Sequence, residues 1–151
     1  MKLHTLYIDT REQRALSFAG YSGIFILRKK LDFGDYGMRF SDGWTVPVVF
    51  ERKSIPDVFG TLTKGHDRFK RELARSKKNG YKLMVIIEGP IAKVIEGVWK
   101  SKIQGIAIVR SLFTYLVKYD VYLIFAKDRE EASRFIIEYY SAMWRKRKEE
   151  M

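Results

Sequence analysis

The sequence predicts an α/β protein with a mixed sheet covered by helices on both faces. Two near-continuous apolar runs, 83–87 and 121–125, read as strands buried on both sides. Helical segments bracket them, the clearest at 101–118, where Ile103, Ile106, Val109, Leu112, Phe113 and Leu116 recur at helical spacing. Between 36–40 and 45–51 stands Ser41-Asp42-Gly43, and Asp-Gly between apolar segments marks a hairpin, so the sheet is mixed.

Each element has a local reason. Residues 3–9 read as a strand ending in an acid, and a short helix is expected over 12–19, stopped by Gly20. A strand follows at 24–27, and Gly34-Asp35 opens the strand at 36–40. The return strand, 45–51, runs into Glu51-Arg52-Lys53. Ser54 suits a helix N-cap, with Pro56 in the first turn and Asp57 at the positive end. Gly60 and Gly65 are expected to break that region. A helix over 67–77 is closed by Asn79-Gly80, and Glu88-Gly89-Pro90 ends the strand at 83–87. A final helix covers 128–145, followed by a charged tail.

Composition narrows the function. A chain of 151 residues, 46% hydrophobic and 15% aromatic, is most simply one domain with a real core. Its 29 basic residues outnumber 18 acidic ones, a net charge of +11 that favours a polyanionic partner. No stretch is long and apolar enough to span a bilayer, and the N-terminus lacks a signal peptide's apolar run, so a cytoplasmic, nucleoid-associated location, or another intracellular one, without membrane attachment is expected. There are no cysteines and two histidines, which excludes disulfides and thiolate metal sites and argues against a histidine-rich zinc site.

Chemistry gathers at four acids near strand ends and turns: Asp9, Asp35, Glu51 and Asp57. Strand alternation puts Glu51 and Lys53 on one face and Arg52 on the other. A carboxylate that can ligate a metal then converges with an ammonium that can steady a water or a phosphate oxygen. Phosphodiester hydrolysis needs such a pair, because a bound Mg2+ neutralises developing charge and acidifies a water. Mg2+ keeps several waters, so two or three carboxylates suffice. Each acid also has a plainer reading: Asp35 a turn residue, Asp57 a helix N-terminal charge, Asp9 a cap on the loop after its strand.

Ile8-Asp9-Thr10-Arg11-Glu12, Gly34-Asp35-Tyr36 and Glu51-Arg52-Lys53-Ser54-Ile55-Pro56-Asp57 together resemble the nuclease domain of the XPF family of structure-specific endonucleases, its archaeal helicase–nuclease relative Hef especially. The family signature is Gly-Asp, a spacer, Glu-Arg-Lys, three residues, Asp, and every fixed position is matched. The likeness continues through Phe69 and Leu73, Val85-Ile86-Ile87-Glu88-Gly89, Gly105, residues 121–125 and Asp128-Arg129-Glu130-Glu131-Ala132, nearly the whole chain.

The resemblance implies a restriction-endonuclease-like, PD-(D/E)XK fold and DNA cleavage that depends on Mg2+, with Mn2+ as a substitute. Asp35 and Glu51 match the metal-binding acids, Lys53 the lysine that positions or activates the attacking water, and Asp57 the last acid of the signature. The Arg52 carbonyl often completes the metal shell in such folds. Asp9, Arg11 and Glu12 match a first motif beside the site; Asp9 is a further metal candidate, Arg11 suits a phosphate, and Glu12 an outer or metal role. The side chains of Arg11 and Arg52 suit a structural ion pair equally well, and Glu88 is read as structural.

Four features depart from or add to that pattern. The stretch from Asp35 to Glu51 is longer than usual, with Trp44 at its tip as a possible base-stacking or packing residue. Arg71 takes the place where relatives often carry Gln. No helix–hairpin–helix module follows, so residues 1–151 are read as a single nuclease domain. Lys64, Arg68, Lys70, Arg71, Arg75, Lys77 and Lys78 make a basic segment too populous for one helical face; Lys64, Arg68, Arg71 and Arg75 are the candidates for the DNA backbone. Ile103, Ile106, Phe113, Phe135, Ile136 and Tyr139 are read as mostly core, with part of the last two helices left for a homodimer. The expected function is a metal-dependent endonuclease acting near branched, flap or fork DNA, with a helicase as a conceivable partner. The rivals are a non-catalytic DNA-binding scaffold subunit and a resolvase or restriction-type nuclease.

Overall fold

The computed structural model describes residues 3–97 and 102–151. The described elements run β1 (His4–Ile8), β2 (Ile24–Arg28), β3 (Tyr36–Arg39), β4 (Val48–Ser54), α1 (Ile55–Leu62), α2 (His66–Lys78), β5 (Lys82–Glu88), α3 (Ile91–Glu96), α4 (Gly105–Tyr119), β6 (Tyr122–Ala126) and α5 (Arg129–Glu150). One mixed sheet has the order β2-β1-β3-β4-β5-β6. β1 pairs parallel to β2 and antiparallel to β3; β3 and β4 are antiparallel; β4, β5 and β6 are parallel.

The two faces carry separate cores. Leu6, Ile8, Tyr36, Phe50, Met84 and Ile86 meet Ala132, Ile136 and Tyr140 of α5 on one face. Val49, Val85 and Ile87 meet residues of α1, α2 and α4 on the other. Adjacent residues of one strand, Val49 and Phe50, therefore belong to different cores, as the two-residue period of a doubly covered strand requires. The Tyr140 hydroxyl donates to the Val48 carbonyl at 2.7 Å, so α5 is held by a buried polar bond as well as by packing.

Several expectations change. No helix forms over 12–19. Leu16 N–H donates to the Tyr36 hydroxyl, and the carbonyls of Glu12, Arg14 and Ala15 accept from Arg28, Arg52 and Arg129. Tertiary partners thus take the backbone groups a helix would pair internally, and buried Leu16 and Phe18 alternate in strand fashion. The charged triplet does not follow β4; it lies within it, because Glu51, Arg52 and Lys53 are in register with Val85, Ile86 and Ile87 of β5. α1 continues through Gly60 and stops at Thr63. The expected helix start at 101 lies outside the described residues. The charged tail is helical to Glu150, and α3 is an added element. Among the described residues no helix is long and apolar enough to cross a membrane.

Candidate active site

Two side chains converge because of strand parity. Glu51 and Lys53 share the face of Val49 and project toward α1 and α2; Arg52 projects to the other face. The Lys53 Nζ lies 3.3 Å from Glu51 Oε1, with both side chains about 15% exposed. The ammonium also sits 5.3 Å from the centre of the Phe69 ring, a favourable placement over its electron-rich face.

Asp35 reaches this spot through Gly34. Gly34 has φ +69°, and a Cβ there would stand 2.8 Å from the Phe50 carbonyl oxygen. Only glycine lets the chain pass this close to β4. Asp35 N–H then donates to that same carbonyl at 2.7 Å, and Arg52 N–H donates to Asp35 Oδ2 at 2.8 Å. The turn and the strand hold the carboxylate beside Glu51.

Both acids resist ionisation. Burial pushes the Asp35 carboxyl up to about 6; the Arg52 N–H and Lys53 oppose the shift, and Glu12 and Glu72 add to it. Burial first, then the Asp35 charge, push Glu51 up to about 8. Two half-buried carboxylates at one place are a hard-oxygen donor set that suits a cation. Among the described residues no group of three or more acidic or histidine side chains is placed to hold a metal ion; Asp35 and Glu51 are two acids that could share one, with water completing its shell.

Two adjoining cavities of about 400 and 510 Å³ form the groove, and Glu12, Asp35, Glu51, Arg68 and Glu72 wall both. Arg71 and Arg75 belong to the first, Lys53 and Asp57 to the second. Arg68, Arg71 and Arg75 thus form one basic wall beside the acids. Lys64 stands exposed in the turn between α1 and α2 and walls neither cavity. Glu72 is the site residue the sequence reading missed. Its Oε1 accepts from Gly34 N–H at 3.4 Å, so it ties α2 to the turn that carries Asp35. The available signal was an acid inside a strongly basic helix, one turn from buried Phe69 and Ser76.

Other predicted residues have defined partners. Asp9 is 2% exposed and accepts from Arg11 N–H, Arg11 Nε and Nη2, and Leu31 N–H. Burial alone would raise its carboxyl; the bonds from Arg11 and Leu31 outweigh that and hold it below the ordinary carboxylate value. Arg52 bridges Glu12 and Glu88 at 3.2 and 2.8 Å. Burial disfavours its charge, but those two partners more than offset this and its pKa is raised. Asp57 N–H donates to Ser54 Oγ, the cap that starts α1, while the exposed Asp57 side chain borders the second cavity.

Residues 8–139 match the ERCC4 domain. No curated protein sequence matches the chain. Among solved structures it is similar to XPF from Aeropyrum pernix, 21% identical with a TM-score of 0.63 over 87% of this chain and 57% of that one. It is also similar to XPF from Aeropyrum pernix in complex with DNA, 20% identical with a TM-score of 0.66 over 94% of this chain and 65% of that one. The fold is therefore restriction-endonuclease-like, and the chain spans 57–65% of the XPF chains it matches.

Proposed function

This chain belongs to the ERCC4 domain family, and on that premise we propose that it is a divalent-metal-dependent DNA endonuclease that hydrolyses a phosphodiester near a branch or a junction of single- and double-stranded DNA. The observation that carries the reading is the convergence of half-buried Asp35, Glu51 and Lys53 in a groove walled by arginines.

In this proposal Asp35 and Glu51 hold Mg2+, or Mn2+ in its place, with the Arg52 carbonyl as a further oxygen donor. The ion, when bound, acidifies a water and neutralises charge on the phosphate. Lys53 orients Glu51 and steadies the attacking water. Arg68, Arg71 and Arg75 take backbone phosphates, which fixes register without reading sequence. Asp57 borders the groove as an outer acid. Asp9 is assigned a positioning role, since its oxygens are taken by Arg11 and Leu31. Arg52 and Glu12 likewise brace the site across the sheet.

A second copy of the chain is the partner we assign to α4. The expectation that Ile103, Ile106 and Phe113 are core is corrected: they are 42%, 42% and 56% exposed. With Val117, and Ile91 and Ile95 of the adjoining α3, they form an apolar surface. On α5, Ile136 is fully buried, Phe135 and Tyr139 pack against the core, and among the described residues no large apolar side chain of that helix is strongly exposed. The dimer proposal therefore keeps α4 of the last two helices and replaces α5 with α3.

The test is cleavage of end-labelled fork, flap, nicked four-way junction and plain duplex DNA with Mg2+, Mn2+ or EDTA. Metal-dependent cutting of branched substrates that Asp35→Asn loses supports the proposal. Binding without cutting in either metal overturns it in favour of a scaffold subunit.

A further inference from the structure

The sheet is covered unequally on the face that carries Glu51 and Lys53. Helices α1, α2 and α4 pack on the β4–β6 half, and no residue of β1 or β2 belongs to the core on that face. The register puts two rows of side chains there: Phe25, Thr5 and Arg39, then Leu27, Tyr7 and Gly37. Phe25 is 53% and Leu27 42% exposed. Val49 and Leu31 lie against Gly37, so the open part of this face is β1 and β2. Lys29 follows in the same parity, its Nζ 5.1 Å from the centre of the Tyr7 ring.

This face leads into the groove. A cavity of about 380 Å³ is walled by Arg11, Lys30, Leu31, Asp32 and Arg75, and Arg11, Asp32 and Arg75 also wall the first catalytic cavity, so three cations outnumber one acid there. Cations therefore continue from the acids to Lys30 and Lys29, and there the exposed ring of Phe25 and the half-buried ring of Tyr7 begin. Aromatic rings on a sheet flanked by lysines suit unstacked bases, each with a free ring face, threaded on a phosphate backbone. A duplex keeps its bases stacked inside and offers these rings nothing.

We propose that the open face of β1 and β2 is a platform for an unpaired nucleic-acid strand that enters or leaves the catalytic groove, with Phe25 and Tyr7 stacking on bases and Lys29 and Lys30 holding phosphates. The assignment rests on the nuclease reading above and names a part of its substrate.

Fluorescence anisotropy in EDTA, with a labelled single strand, a fork and a blunt duplex, tests it. Wild type should prefer the single strand and the fork over the blunt duplex. Phe25→Ala should weaken those two by about fivefold or more and leave the blunt duplex unchanged. The double change Lys29→Gln and Lys30→Gln leaves the rings in place. It should lower the slope of log affinity against log salt for the single strand by about 1.4, at roughly 0.7 per phosphate contact. Unchanged single-strand affinity in both variants overturns the platform alone. Equal loss on all three DNAs overturns it too, as does a Phe25→Ala change that dissociates a wild-type dimer in sedimentation. Absence of any DNA binding by the wild type overturns this inference and the nuclease reading together.

Discussion

A carboxylate taken out of water beside a second carboxylate is a cost to the folded chain, and Asp35 and Glu51 are both so placed. Their ordinary values, 3.8 and 4.5, rise to about 6 and about 8 on folding. Between those limits the folded state binds more protons than the unfolded state, so this pair removes stability as pH rises from about 4 to 8. In EDTA at neutral pH, Asp35→Asn and Glu51→Gln should each raise the melting temperature by about 3 °C or more, with the gain shrinking toward pH 4. A calorimetric scan that finds either variant less stable at pH 8 than wild type contradicts this. For the same reason protons compete with the cation, and Mn2+ affinity measured by electron paramagnetic resonance should be weaker at pH 6 than at pH 8. The placement of Glu51 and Lys53 on one face was legible, since alternation follows from residue order. Glu72 was not, because its role depends on where α2 docks, and a basic helix drew attention to its arginines instead.

At the level of elements, the turn at Gly34 sets where Asp35 stands. Gly34→Ala adds a Cβ against a backbone oxygen and imposes a left-handed conformation that costs about 1–2 kcal/mol in an L-residue. It should lower both thermal stability and the cleavage rate. Ser54→Ala removes only the α1 cap, about 1 kcal/mol, and should lower stability while leaving the rate within a few-fold. Equal rate losses in the two variants would show that the turn does not position Asp35. The hairpin, the doubly buried β5, the Ser54 cap and the close of α2 at Asn79-Gly80 could all be read from local chemistry. The loop over 12–19 could not. Its helical pattern was overridden by Arg28, Arg52 and Arg129, which reach it from distant parts of the chain.

The whole molecule presents a basic groove on one side of the sheet and an apolar surface on α3 and α4. The net charge of +11 anticipated the groove but not its position, which depends on α2 crossing beside β4. Periodicity assigned Phe113 and Ile106 to a core because it reports a helix's apolar face without saying what covers it. Phe113→Asp should weaken self-association at least tenfold in sedimentation equilibrium without changing the circular dichroism spectrum. A wild-type chain that stays monomeric at the highest attainable concentration would remove the dimer from the account.

The central claim is that Asp35, Glu51 and Lys53 act as one catalytic group. Single-turnover cleavage of a forked DNA in Mg2+, with binding measured in parallel, tests it most directly. Glu51→Gln should cut at least about a thousandfold and Lys53→Ala at least about a hundredfold more slowly than wild type while each binds the fork within a few-fold of it, since one lost catalytic electrostatic group costs on the order of 10²–10³ and metal binding adds to that for Glu51. Cleavage by Glu51→Gln within tenfold of wild type would contradict the assignment.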